Sequence, residues 1–189
     1  MSHTQAHDPL GVRRAGRLHQ LVWIVGGVIV LAVSSRVAIP MVPVPITLQT
    51  LAVTLIGALY GWRLGGLTVG VWLVAAALGL PLLSDGAGGL EPFTGATAGY
   101  LFAFPLAAAL VGVLTARGWN GARPGLAFAA MLMGNGLCLT LGAAWLAAQI
   151  GPAVALEAGV LPFLPGAVIK SAAAAGVLVA LSRTAARRG

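Results

Sequence analysis

Long apolar runs alternate with short stretches rich in glycine, proline and arginine along almost the whole chain. Six runs lie near Leu21–Ile39, Thr47–Tyr60, Leu64–Leu80, Gly95–Ala116, Leu126–Ile150 and Leu164–Leu181. Each approaches the roughly 20 apolar residues that carry a helix across the hydrocarbon core of a bilayer. The pattern predicts an all-α membrane protein, a six-transmembrane-helix bundle over residues 21–182, with a polar tail at 1–20 and a basic tail at 183–189. The second run is short, which predicts a tilted, broken or extended helix.

The linkers differ in character. The first reads IPMVPVPIT from Ile39 to Thr47, with three prolines. Proline fixes the backbone and removes a donor, so a stiff, extended strap is expected there. The linker from Pro81 to Thr94 carries DGAGG at Asp85–Gly89, where glycine permits tight turns and close approach to a ligand. Small residues recur at helix-packing spacing at Gly57, Gly61 and Gly65, at Ala108 and Gly112, and at Ala172 and Gly176, as close helix contact in lipid requires.

Composition agrees with a lipid-facing surface. Hydrophobic residues make up 59% and charged residues 8%, against about 25% charged in soluble domains. The net charge of +7 arises from short basic clusters between the apolar runs, a pattern of membrane orientation and not of nucleic-acid binding. With the N-terminus cytoplasmic, Arg63, Arg117 and Arg123 fall in cytoplasmic loops together with both tails, and Asp85, Glu91 and Glu157 fall outside. Arg13, Arg14 and Arg17 precede the first run as in a signal peptide, but no small-residue cleavage site follows, so a cytoplasmic tail is expected. Arg36 ends the first run, where its side chain can snorkel to the outer interface.

Little catalytic chemistry is available. His3, His7 and His19 all precede the first span, which leaves no intramembrane serine–histidine pair and no metal site. GAVIKS at Gly166–Ser171 lacks the glycine that a phosphate-binding loop places before its lysine. Cys138, the one cysteine, reads as a small apolar residue. No acidic residue lies inside a span, which argues against ion-coupled transport. Lys170 falls inside the sixth run, and an intramembrane lysine marks either a functional site or a snorkelling side chain near the outer surface. A small chain that grips a ligand from outside and carries no motor requires a partner for energy.

Four ordered blocks bring a family into view: SSRVAIPMVPVPITLQTLAV at Ser34–Val53, GLPLLSDGAGG at Gly79–Gly89, GATAGYL at Gly95–Leu101 and PFLPGAVIK at Pro162–Lys170. Together they resemble the BioY family, the biotin-specific substrate-capture (S) component of energy-coupling factor (ECF) transporters. The resemblance implies a multi-pass subunit of the bacterial inner membrane that binds biotin near the outer surface. It implies as partners a transmembrane coupling protein and two ATPases, or else action alone as an oligomer. It carries over Val44 within the proline strap, Thr47, Gln49, Thr97, Gly99, Tyr100 and Lys170. Lys170 then serves the ligand's carboxylate or its polar head, and Gln49 and Asn135 can each donate and accept toward a ureido group. Tyr100 and Trp145 offer flat walls, although Asn135 and Trp145 equally suit helix bonding and interfacial anchoring. The chain departs from the family at Ala96 and Ala98, at Ala87 where a base is common, and at Ala167 where an aspartate is common. Asp85, Glu91 or Asn135 can take over the lost contacts, or the ligand is another small carboxylated vitamin or a biotin precursor. Gly26, Gly27 and Ala32 on the first helix are the expected partner-binding surface.

Overall fold

The computed structural model describes residues 16–186 together with Val12. Most of the N-terminal tail, with Arg13 and Arg14, and the terminal Arg187 and Arg188 lie outside the described residues. The described residues form six α-helices: α1 (Arg17–Arg36), α2 (Gln49–Ala77), α3 (Ala98–Ala116), α4 (Pro124–Ile150), α5 (Pro152–Gly159) and α6 (Phe163–Ala186). Five of them, all but α5, are long and apolar enough to cross a membrane.

The two short runs expected around residue 61 are one continuous helical stretch with a break in it. Gly61 stands at φ 81, ψ 172 inside α2, a conformation open to glycine because it has no Cβ. A Cβ placed on Gly65 would lie 2.9 Å from Gly57 Cα, whereas eight steps along an unbroken helix cover about 12 Å. The chain therefore reverses at a single residue, and the arms 49–60 and 62–77 lie against each other. Arg63 consequently begins the second arm and does not sit in a loop.

Small residues set how closely the remaining helices approach. A Cβ on Gly57 would overlap the Ala108 carbonyl oxygen of α3, and one on Gly112 would overlap the Trp62 backbone nitrogen. Gly176, by contrast, has nothing within 4 Å of a Cβ position, so the Ala172 and Gly176 pair expected to pack does not. α3 packs between α2 and α4, α6 lies mainly on α4, and α1 leans on α2 alone among the long helices in any extensive contact. Trp72, Leu31, Met131, Leu146 and Leu178 are fully buried. Leu21, Val22, Val25, Ile29, Val30 and Val33 of α1 are exposed, a continuous apolar surface of the kind that faces lipid.

The proline strap is not simply extended. Ala38–Ile39 (β1) pairs antiparallel with Ile46–Thr47 (β2), Ala38 opposite Thr47 and Ile39 opposite Ile46. Pro40, Pro43 and Pro45 have no N–H to donate, so the pairing stops after two residues per strand. α5 is a further addition, an eight-residue helix opened by Pro152 at its first position, where the missing N–H costs nothing. It is too short to register as a membrane run. GAVIKS lies wholly inside α6, so it forms no phosphate-binding loop.

Candidate functional site

The first turns of α2 and α6, the hairpin, the 81–97 linker and the middle of α4 converge on one cavity of about 380 Å³, a size typical of small-molecule sites. Val44, Thr47, Gln49, Asp85, Glu91, Thr97, Tyr100, Asn135 and Lys170 all line it. Ala87, Ala96 and Ala167 line it too, so three of the four departures from the pattern of the family that the chain resembles face the same space.

The inner wall is polar and tightly bonded. Lys170 Nζ donates to the Thr47 carbonyl at 3.0 Å, which ties α6 to the hairpin. The ammonium has three protons to give, and Lys170 makes no ion pair among the described residues. It is 8% exposed and is the one basic residue among the described residues that line the cavity. Beside it, the Gln49 side chain accepts from Thr47 Oγ1 at 2.9 Å and donates to Ser35 Oγ at 3.0 Å. Asn135 Nδ2 donates to the Met131 carbonyl and to Ser171 Oγ, each at 3.1 Å, so Asn135 both bridges α4 to α6 and lines the cavity. Thr50 Oγ1 is buried with no hydrogen-bond partner among the described residues, and Thr50 is a lining residue that the sequence reading missed.

The side wall is aromatic. Tyr100 stacks on Phe163 with centroids 6.2 Å apart, and Phe104 completes the surface. The Tyr100 hydroxyl donates to the Gly159 carbonyl at 2.8 Å, so it holds α5 in place and presents the ring, not the hydroxyl, to the cavity. Neither Phe104 nor Phe163 carries a sequence signal that separates it from ordinary core. The mouth carries Asp85 and Glu91, both exposed. A smaller apolar cleft of about 220 Å³ lies behind Lys170 and Thr47, between the hairpin and α6.

Three expected residues fall elsewhere. Gly99 does not line the cavity; a Cβ there would overlap Trp145 Cβ, so its role is to seat α3 against α4. Trp145 donates from Nε1 to the Gly95 carbonyl at 3.0 Å and is 39% exposed, so it lies at the surface of the bundle and is not a cavity wall. Gly27 is buried against Tyr60 and Thr68 of α2. It is thus spent on internal packing, while Gly26 has nothing within 4 Å of a Cβ position and Ala32 is half-buried.

The Gln49 network is expected to be structural as well as site-forming. Gln49→Leu leaves the Thr47 hydroxyl proton without its acceptor and removes the donor to Ser35 Oγ, which keeps its own bond to the Leu31 carbonyl, and should cost about 1–2 kcal/mol of ligand-free stability. A thermal melt in detergent reads this, and an unchanged midpoint would mean that the network is slack.

The sequence pattern of the BioY family matches residues 4–187. A probable biotin transporter of Pyrococcus horikoshii is 33% identical over 143 residues, covering 76% of this chain and 83% of that protein. The biotin transporter BioY of Rhizobium etli is 35% identical over 155 residues, 78% of this chain and 83% of that one. Among solved structures, the biotin S-component of an ECF-type ABC transporter superimposes with a TM-score of 0.76 at 27% identity, over 88% of this chain and 92% of that chain. With the ordered motifs, the helix arrangement and the relatives all agreeing over most of its length, the chain belongs to the BioY family.

Proposed function

We propose that this protein is the substrate-capture subunit of a biotin uptake system, binding biotin in the cavity between the hairpin and α6. One observation carries the reading most. A desolvated ammonium, Lys170, stands without an ion-pair partner among the described residues in a wall of neutral polar groups, facing an aromatic surface. Such a site suits a small ligand with a carboxylate, a ring that gives and takes hydrogen bonds, and an apolar chain. Val44, Thr47, Gln49, Thr50, Thr97, Tyr100 and Asn135 form the remaining contact surface, with Asp85 and Glu91 at the entrance.

In this reading residues 21–182 form the membrane domain and cross the bilayer six times, the two arms of α2 each making one crossing. Arg63, Arg117, Arg123 and Arg183 gather at the end away from the hairpin. By the positive-inside rule that end, with both tails at 1–20 and 183–189, is cytoplasmic and the cavity opens outward. The location is the bacterial inner membrane. The subunit is not an enzyme; a coupling protein with two ATPases supplies the energy for release inwards.

Biotin is expected to raise the melting temperature of the detergent-purified protein, since a ligand bound only by the folded state stabilises it, by about 4 kcal/mol at a thousandfold excess over Kd. Absence of any shift with biotin would sink the assignment. A second reading, another small carboxylated vitamin or a biotin precursor, is favoured by Ala87 and Ala167 on the cavity wall. A larger shift with such a compound than with biotin would select it.

A further inference from the structure

Three consecutive residues at the end of α1 each hold a different part of the cavity wall. Ser35 is fully buried, and its Oγ accepts from Gln49 Nε2 at 3.0 Å. Val37 accepts from the Leu48 N–H at 3.1 Å, closing the base of the hairpin that carries Pro43, Val44 and Pro45. Between them, Arg36 reaches in another direction. Its Nη2 donates to the Pro81 carbonyl at 2.6 Å, and its Nη1 lies 2.9 Å from where a Cβ on Gly86 would stand.

The segment that Arg36 grips is part of the closure. Leu83, Ser84, Asp85 and Ala87 line the cavity, and the turn between them places Asp85 at φ 54 and Gly86 at φ 76. Trp72 Nε1, which donates to the Leu82 carbonyl at 3.2 Å, tethers it as well. Gly86 has a use here beyond its backbone angle, because any side chain would meet the guanidinium. α1 is the least buried of the five long helices. Its contact to α2 runs through Gly27 against Tyr60 and Thr68 and through the Trp23 ring against Tyr60.

We propose that Arg36 is a positioning residue that clamps the 81–87 turn over the cavity. The last turn of α1 thereby ties together all three closures, and displacement of α1 loosens them at once. The proposal takes the cavity to be the ligand site, but its test does not need the ligand. Cys138 lines the cavity, is 1% exposed and is the one cysteine of the chain. Its rate of modification by a charged thiosulfonate, in the full-length protein in detergent, reports how often the cavity opens.

Arg36→Ala is expected to speed Cys138 modification by roughly fivefold to tenfold without ligand, as for loss of one charge-assisted hydrogen bond holding a local closure. Arg36→Lys keeps the charge but cannot reach both Pro81 and the Gly86 turn, so an intermediate rate is expected. Arg117→Ala, at the far end of α3, should match the wild type. An unchanged rate in a folded Arg36→Ala protein overturns the proposal, and so does equal acceleration in Arg117→Ala. If Arg36→Ala does not fold, Arg36→Lys decides, and a wild-type rate in it is the overturning result. Biotin added to the wild type tests the site separately: failure to protect Cys138, with the Arg36 effect intact, removes biotin and leaves the clamp.

Discussion

Lys170→Ala is expected to weaken biotin binding by about two to three orders of magnitude, measured by calorimetry in detergent. A charge-assisted hydrogen bond removed from a desolvated site is worth roughly 3–4 kcal/mol when the ligand's own charge is left unpaired. The ligand-free protein should behave in the opposite sense. An ammonium that is 8% exposed and bonded, among the described residues, only to the Thr47 carbonyl is costly to bury. Lys170→Met keeps the stem and removes the charge, so its ligand-free melting temperature should equal or exceed that of the wild type while binding is lost. A residue kept for stability would lose both together. Undiminished affinity in Lys170→Met would take the ammonium out of the site, and a large fall in ligand-free stability would recast it as structural.

The second large effect concerns the fold that holds the site. Gly112→Val and Gly57→Val should each abolish recovery of monodisperse protein, or lower stability by at least about 3 kcal/mol. The reason is that their side chains would enter backbone, not the movable end of a neighbour. Gly57 meets the Ala108 carbonyl, and Gly112 meets the Trp62 nitrogen just after the reversal at Gly61. Gly176→Ala provides the contrast: with open space at its Cβ position, it should be neutral or stabilising by up to about 1 kcal/mol from helix propensity. Size-exclusion profiles and thermal melts of the three variants measure the difference. Equal behaviour would mean that the α2–α3 contact is less tight than it looks.

Much of this architecture was legible in the chain because lipid imposes a simple rule: spanning segments must be long, apolar and helical. The helices α1, α3, α4 and α6 follow the runs closely, and the strongly signalled residues Gln49, Tyr100 and Lys170 do meet in one cavity. Other positions made weaker signals. Gly99 sits within the GATAGYL block, and Trp145 and Gly27 lie on apolar runs outside the blocks, but a helix has several faces and neither a motif nor an apolar run chooses between them. Each of the three turned out to serve helix contact. Phe104, Phe163 and Thr50 were invisible for the converse reason, since nothing local distinguishes a cavity-facing apolar or hydroxyl side chain from a packed one.

By itself the sequence determined that this is a helical membrane protein of the BioY pattern, with a lone intramembrane lysine and with alanines at two positions where the family commonly carries charge. The first follows from composition and hydrophobic run length, and the rest from residue identities and the family that the motif blocks resemble; neither needs coordinates. Only the tertiary structure decided that residues 49–77 double back at Gly61, that the proline strap pairs with itself, and that Arg36 grips the 81–87 turn. It alone also placed Ala87 and Ala167 in the same cavity as Lys170. These are matters of which distant backbones touch, and that is set by the shape of whole helices packed against one another.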